Sequence, residues 1–173
     1  YGMTTSTRVV EDDRDIIEAA LMEAIEGHDA VITSGGAWTG ERDLVVKILD
    51  IMGWRKLYHR VRMGPGKAVG FGFCRRKPLF ILPGGPPSNQ MAFLQLALPG
   101  LHRLSGNPRL GVPTRKVKLA LTVTGQQNWT QFIEGRFEKV QSIIQFRVHK
   151  QKSRLQSMAD CEGYLKIPEG ISR

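Results

Sequence analysis

Cysteine is scarce in this chain. There are two in 173 residues, Cys74 and Cys161, too few and too far apart for a disulfide framework or a zinc site, so free thiols in a reducing compartment are expected. The four histidines are scattered and none has metal-ligand spacing. No apolar run is long enough to span a bilayer and nothing reads as a signal peptide, which predicts a cytoplasmic protein without a membrane partner. Low-complexity tracts and blocks of like charge are also missing, and a composition of 41% hydrophobic and 24% charged residues is that of a globular protein. Acidic residues are in deficit: 16 against 25 Lys plus Arg give a formal charge of +9, which favours anionic ligands. The basic residues are dispersed, with no recognition-helix or aromatic RNA signature, so nucleic acid is not the expected partner.

The glycines are placed with purpose. In Ile32-Thr-Ser-Gly-Gly-Ala-Trp-Thr-Gly-Glu-Arg-Asp43 an apolar run ends in a glycine turn before a new helix. Gly35 and Gly36 let backbone approach a ligand, Thr33, Ser34 and Thr39 bring hydroxyls, and Gly40 extends the loop; a phosphate fits such a place. A ligand-free strand-to-helix turn has the same local pattern. A second stretch, Leu79-Phe-Ile-Leu-Pro-Gly-Gly-Pro-Pro-Ser-Asn89, repeats the design with Pro83, Gly84, Gly85, Pro86 and Ser88. Between them, Met63-Gly-Pro-Gly-Lys67 is a rigid turn presenting one lysine after a segment with Lys56, Arg60 and Arg62. If the strands are parallel neighbours, all three loops gather at their carboxyl ends, where open α/β sheets bind ligands.

Along the chain, Asp12 and Asp13 precede an amphipathic helix with Ile16, Ile17, Ala20, Leu21, Ala24 and Ile25 as its stripe and Gly27 as its stop. A short strand follows at 29–33, then a helix with Leu44, Ile48, Leu49 and Met52. Alternation from Lys56 to Met63 predicts one strand with Leu57, His59, Val61 and Met63 on one face. A hairpin, 69–73 against 79–82, leads into the second glycine loop, and the helix from about Ser88 should kink or end at Pro99. Asn107-Pro-Arg-Leu-Gly-Val-Pro113 reads as a linker, dividing an α/β domain (1–106) from a β-rich one (107–173). In the latter, Val117–Val123, Phe132–Val140, Ile143–Val148 and Gly163–Ile167 are expected as strands of a small antiparallel unit, and Ser153–Ala159 as a polar connection. The start at Tyr1 and the stop at Arg173 are those expected of a piece of a longer chain.

In order and spacing, the first loop with Asp43, the Gly64-Pro-Gly-Lys67 turn, Leu82-Pro-Gly-Gly-Pro86, Pro99-Gly-Leu-His-Arg-Leu-Ser-Gly106 and the trailing β segment resemble the molybdopterin molybdenumtransferases, the MoeA and gephyrin E-domain family. The resemblance implies a three-layer α/β molybdopterin-binding domain, of the MogA-like type and lacking its first strand and helix here, followed by a small β-barrel-like domain. It implies a reaction in which molybdate is inserted into adenylylated molybdopterin with release of AMP, by a homodimer. Asp12 and Asp43 match acidic positions that would hold Mg²⁺ or orient the attacking water; a helix cap for Asp12 and a first-turn position for Asp43 are the structural alternatives. Lys67 and Arg60, with Arg62 behind them, would contact phosphate or molybdate. Ser34, Thr39 and the Gly35 and Gly36 amides would hold the pterin or its phosphate, and Ser153 matches a serine of the β domain. The chain departs from the family pattern at Trp38, Gly64 and Glu134. The same glycine loop occurs in molybdopterin adenylyltransferases, which lack the β unit, and a non-catalytic scaffold of the gephyrin type is a third possibility.

Overall fold

The computed structural model describes residues 2–37, 44–149 and 154–171. Thr39, Gly40, Asp43 and Ser153, among the expected site residues, lie outside them, as does Trp38. Helix α1 (Arg14–Gly27) is capped by Asp13, whose carboxylate accepts the Asp15 and Ile16 N–H groups at 2.9 and 3.0 Å. The cap thus falls one residue after Asp12, which is exposed. β1 (Val31–Ser34) and α2 (Leu44–Ile51) follow, then β2 (Arg55–His59), β3 (Met63–Gly64), β4 (Gly70–Cys74) and β5 (Lys77–Leu82).

Four of these strands form one sheet in the order β1-β5-β4-β2, with β1 parallel to β5 and the other pairs antiparallel. β5 shows why the sheet must be covered twice, since Leu79 and Ile81 pack with Ile17, Leu21, Ile25, Val46, Ile48 and Leu49 of α1 and α2. Phe80 and Leu82 point to the opposite core, against Val69, Ala92 and Ala97. A strand buried on both faces reads as a continuous apolar run, and each such side chain contributes roughly 1.5–3 kcal/mol. The second cover is a long helical arm: α3 (Pro86–Ala92), a π turn (Phe93–Ala97) and α4 (Leu98–Leu104). The layers are helix, sheet and helix, as expected. The arm continues through Pro99, because the Leu98 N–H reaches back five residues to Phe93 and the wide turn accommodates a proline at the start of α4.

The strand expected from Lys56 to Met63 is broken in two. Its register against β4 shifts between Lys56 and Tyr58, and a bulge reverses the faces beyond it. Leu57 is therefore exposed, while Tyr58 packs on Phe71 with ring centroids 5.8 Å apart. Arg60 then takes φ +72°, and Met63–Gly64 leaves for a second sheet.

That second sheet is a curled half-barrel built on the eleven-residue β7 (Thr130–Val140). β3 and β9 (Gly163–Ile167) flank its first half, and β8 (Ile143–Val148) pairs with its second. The expected strand at 117–123 shrinks to β6 (Lys118–Leu119), which runs parallel to β8, so the unit is mixed and not purely antiparallel. The expected polar connection at 153–159 contains a helix, α5 (Arg154–Ala159), that buries Ser157. Met63, Met91 and Phe132 form a common core between the half-barrel and α3, and the Tyr164 hydroxyl donates to Gln90 Oε1 at 2.8 Å.

Glu134 on β7 is partly buried, and that burial raises its pKa above the ordinary carboxylate value, with the His149 charge opposing. A raised carboxyl favours the folded state fully below its unfolded pKa, and this contribution is lost as pH rises through the folded value. Glu134→Gln should therefore raise Tm at pH 7–8 and leave it nearly unchanged near pH 4. A thermal melt series across that range checks the sign; equal shifts at both ends would contradict it.

Candidate functional site

Parallel pairing of β1 with β5, from Val31 opposite Leu79 to Ser34 opposite Leu82, makes both strands end at the same level. Each then turns through a double glycine. Gly35 and Gly36 take φ +95° and +63°, in the left-handed region that glycine enters without steric cost. A Cβ on Gly36 would lie 2.5 Å from Val45 Cγ2, so the first loop sits directly on α2.

Three polar contacts tie the loops together. The Gly35 N–H donates to the Leu82 carbonyl at 3.0 Å. Asn89 donates its side-chain amide to Ser34 Oγ at 2.9 Å and to the Pro83 carbonyl at 2.8 Å, joining the end of one strand to the start of the other loop. His59 Nε2 lies 2.7 Å from the Ala37 carbonyl, tethering the far side of the first loop to β2. Pro86 and Pro87 open α3 and bring no N–H, so the backbone donors of the second loop are those of Gly84 and Gly85.

The lysine turn is the third side. Val61 N–H donates to the Lys67 carbonyl at 3.1 Å and Arg60 N–H to the Val69 carbonyl at 2.8 Å, closing a loop with a cis Gly64–Pro65 bond. Gly66 takes φ +106°, and a Cβ there would meet Met63 Cε at 2.7 Å and backbone of Ser88 and Ala92 at 3.3 and 3.2 Å. The turn is pressed onto α3 as closely as glycine allows.

A cavity of about 830 Å³ opens between the three loops, a volume suited to a sizeable small-molecule ligand. Of the expected residues, Gly35, Gly36, Lys67, Pro83, Gly84, Gly85 and Ser88 line it. Others do not. Ser34 acts behind the wall through Asn89, Thr33 Oγ1 is buried without a hydrogen-bond partner, and Pro86 begins α3. Arg60 and Arg62 are exposed and outside the lining, and Arg62 pairs with Glu169 at 3.1 Å. Asp12 is exposed and also outside it. Sequence reasoning missed the fourth side, Gln126, Trp129 and Gln131 from the half-barrel. Nothing local marks them, because only the pairing of β3 with β7 brings them here. Asn89 was missed too, although its place just after a Gly-Gly-Pro-Pro turn is a readable signal for a capping or bridging amide.

The described residues do not make a magnesium site. No group of three His, Cys, Asp or Glu among them is arranged for a metal, and none of the described residues that line the cavity is a carboxylate. What the described lining offers is glycine backbone, an ammonium group, a serine hydroxyl, two carboxamides and an indole, a set chemically suited to anions and planar rings.

Gly36→Ala should cost roughly 1–2 kcal/mol for the left-handed backbone, with the Val45 clash added. Denaturant unfolding of the variant checks this, and stability equal to the parent would show that the loop relaxes at no cost. Asn89→Ala, which leaves the two loops joined by the backbone contact alone, should cost about 1–2 kcal/mol by the same measurement.

Comparison with known proteins bears on the same residues. The family described as "Probable molybdopterin binding domain" matches residues 2–103, a span that contains all three loops. Over 73–96% of the chain, the relatives are 28–29% identical. The molybdenum cofactor synthesis protein cinnamon of Drosophila melanogaster is 28% identical over 96% of this chain and 28% of its own length. A molybdopterin molybdenumtransferase of Staphylococcus aureus is 29% identical over 73% of this chain and 30% of its own length. A crystal structure of the molybdopterin biosynthesis MoeA protein of Pyrococcus horikoshii superposes with a TM-score of 0.71 at 28% identity, covering 93% of this chain and 38% of that one. The chain thus spans about a third of the length of the relatives it matches. With a matched span of more than half its residues, this chain belongs to the molybdopterin-binding domain family, as a MoeA-like member.

Proposed function

We propose that the chain is the molybdopterin-binding part of a molybdenumtransferase in molybdenum cofactor biosynthesis, and that its cavity takes adenylylated molybdopterin together with molybdate. The convergence of three glycine loops on one cavity is the observation that carries this reading. In the reaction, water attacks the phosphoanhydride, the bond to the adenylate oxygen breaks and AMP leaves, while the two dithiolene thiols bind the molybdenum of molybdate and one molybdate oxygen leaves as water with the two thiol protons.

The chain's own part is binding and orientation. The Gly36, Gly84 and Gly85 backbone would present N–H donors to phosphate oxygens, the Gly35 N–H being held by the Leu82 carbonyl, and Lys67 would supply the compensating charge. Rigid loops matter because hydrolysis is accelerated by holding the anhydride in one geometry while its developing charge meets fixed donors. The carboxylate that would orient the attacking water is assigned to Asp43, next to the first loop in sequence. Asp43 and Asp12 would be the carboxylates to hold Mg²⁺, and Asp12 is not in the cavity lining. Thr39, Gly40 and Ser153 remain candidate ligand contacts by resemblance. Arg60 and Arg62 would act from the rim, drawing anions toward the mouth. Three half-barrel residues in the lining favour this reading over a molybdopterin adenylyltransferase, which has no such unit. A homodimer cytoplasmic in location and serving neither nucleic acid nor membrane completes the proposal; no helix among the described residues is long and apolar enough to cross a membrane.

Calorimetric titration with adenylylated molybdopterin tests it. Saturable binding is expected, weakened about tenfold or more in Lys67→Ala by loss of a charge-assisted contact; a folded sample that does not bind, or a variant that binds equally well, would contradict the assignment. In the full-length protein, Asp43→Ala should lower hydrolysis about a hundredfold or more while sparing binding. Turnover at the parental rate would remove Asp43 from the mechanism.

A further inference from the structure

The half-barrel wall of the cavity carries an aromatic side chain that no glycine-loop role uses. β3 pairs with β7 so that Met63 stands opposite Thr130 and Gly64 opposite Gln131. This register places Trp129 beside the turn that presents Lys67, and the Thr130 N–H donates to the Arg62 carbonyl at 3.1 Å to hold it there. Trp129 is partly buried and lines the cavity. The Lys67 ammonium rests over its ring, 5.0 Å from the centroid.

We propose that the Trp129 indole is the stacking platform for the planar heteroaromatic ring of the ligand, and that Lys67 moves from that ring to the ligand's phosphate as the ligand enters. The proposal rests on the reading of the cavity as a site for a phosphorylated heteroaromatic compound and adds which wall holds the ring. Trp has the largest π face of any side chain and stacks on planar bases of every kind. An exposed cation–π contact is weaker than a charge-assisted bond from ammonium to phosphate, so a ligand carrying both groups exchanges one contact for a stronger one and uncovers the ring it then uses. Lys67 is exposed on a flexible stem, which makes the exchange a side-chain motion. Gln131 is a neighbour in the wall whose carbonyl oxygen accepts the Gln126 N–H at 2.5 Å, leaving its amide NH₂ as the end suited to a ring nitrogen or carbonyl.

Two ring sources share this chemistry, the pterin and the adenine, and calorimetry distinguishes them. The parent chain, Trp129→Leu, Trp129→Phe and Lys67→Met would be titrated with molybdopterin, with AMP and with inorganic phosphate. Trp129→Leu should weaken molybdopterin or AMP about tenfold while changing phosphate less than twofold, and Trp129→Phe should recover part of the loss. Loss with molybdopterin assigns the platform to the pterin, and loss with AMP assigns it to adenine. Lys67→Met should weaken all three probes. Parental affinity of Trp129→Leu for both ring compounds, or an equal loss for phosphate, would overturn the platform alone. Failure of the parent to bind either ring compound would overturn the functional reading, and the platform with it.

Discussion

The parallel pairing of β1 with β5 is the constraint on which the rest depends. It is a four-residue ladder, and without it the two glycine loops would be separate surface turns. With it, Gly84 approaches the Gly35 Cα so closely that a Cβ there would lie 3.5 Å away, and one amide, that of Asn89, can bridge both loops. Parallel strands need a crossover between them, and here the crossover contains α2 and the β2–β4 excursion, which buries the sheet on one face and returns the chain to its centre. Helices on both faces then force β5 to be apolar throughout. The same burial that stabilises the sheet leaves the loops at its edge as the place where polar backbone is available to a ligand.

The half-barrel contributes a wall as well as a second core. β3 is only two residues long, yet it lies in the sheet of the half-barrel while the residues just beyond it, Pro65 to Lys67, line the cavity. A short strand can do this because its position is over-determined: Met63 is buried with Met91 and Phe132, and Gly66 is packed on α3. The positively charged turn is therefore held from both sides, which is what an ammonium group needs if it is to meet a phosphate without a large ordering cost.

Much of this was legible in the residues. Double glycines at the ends of apolar runs identified both loops, and the Gly-Pro-Gly-Lys turn identified the third, since those residue types answer to local backbone geometry. Helix α1, with acidic residues ahead of an apolar stripe, and the last strand at Gly163–Ile167 were equally local signals. The long-range features were not legible. The alternation from Lys56 to Met63 hid a bulge because a register shift changes no residue type, only the face each one meets. Pro99 suggested that the helix could end there because the π turn that lets it continue has no sequence marker. Trp129 and Gln131 reach the cavity only through the β3–β7 pairing, and a two-residue strand is too short to announce a partner 67 positions away in sequence. Asp12 looked like a loop-mouth carboxylate, but capping of α1 by Asp13 leaves it exposed and outside the cavity lining.

The proposed site would bind its anion through the glycine backbone of the paired loops. The most direct test is to follow the amide resonances of Gly35, Gly36, Gly84 and Gly85 in a ¹⁵N-labelled sample while molybdopterin is added. Shifts at both glycine pairs, saturating together with a single Kd, are the predicted result. Saturable shifts confined to other amides, with all four glycines unmoved, would contradict it.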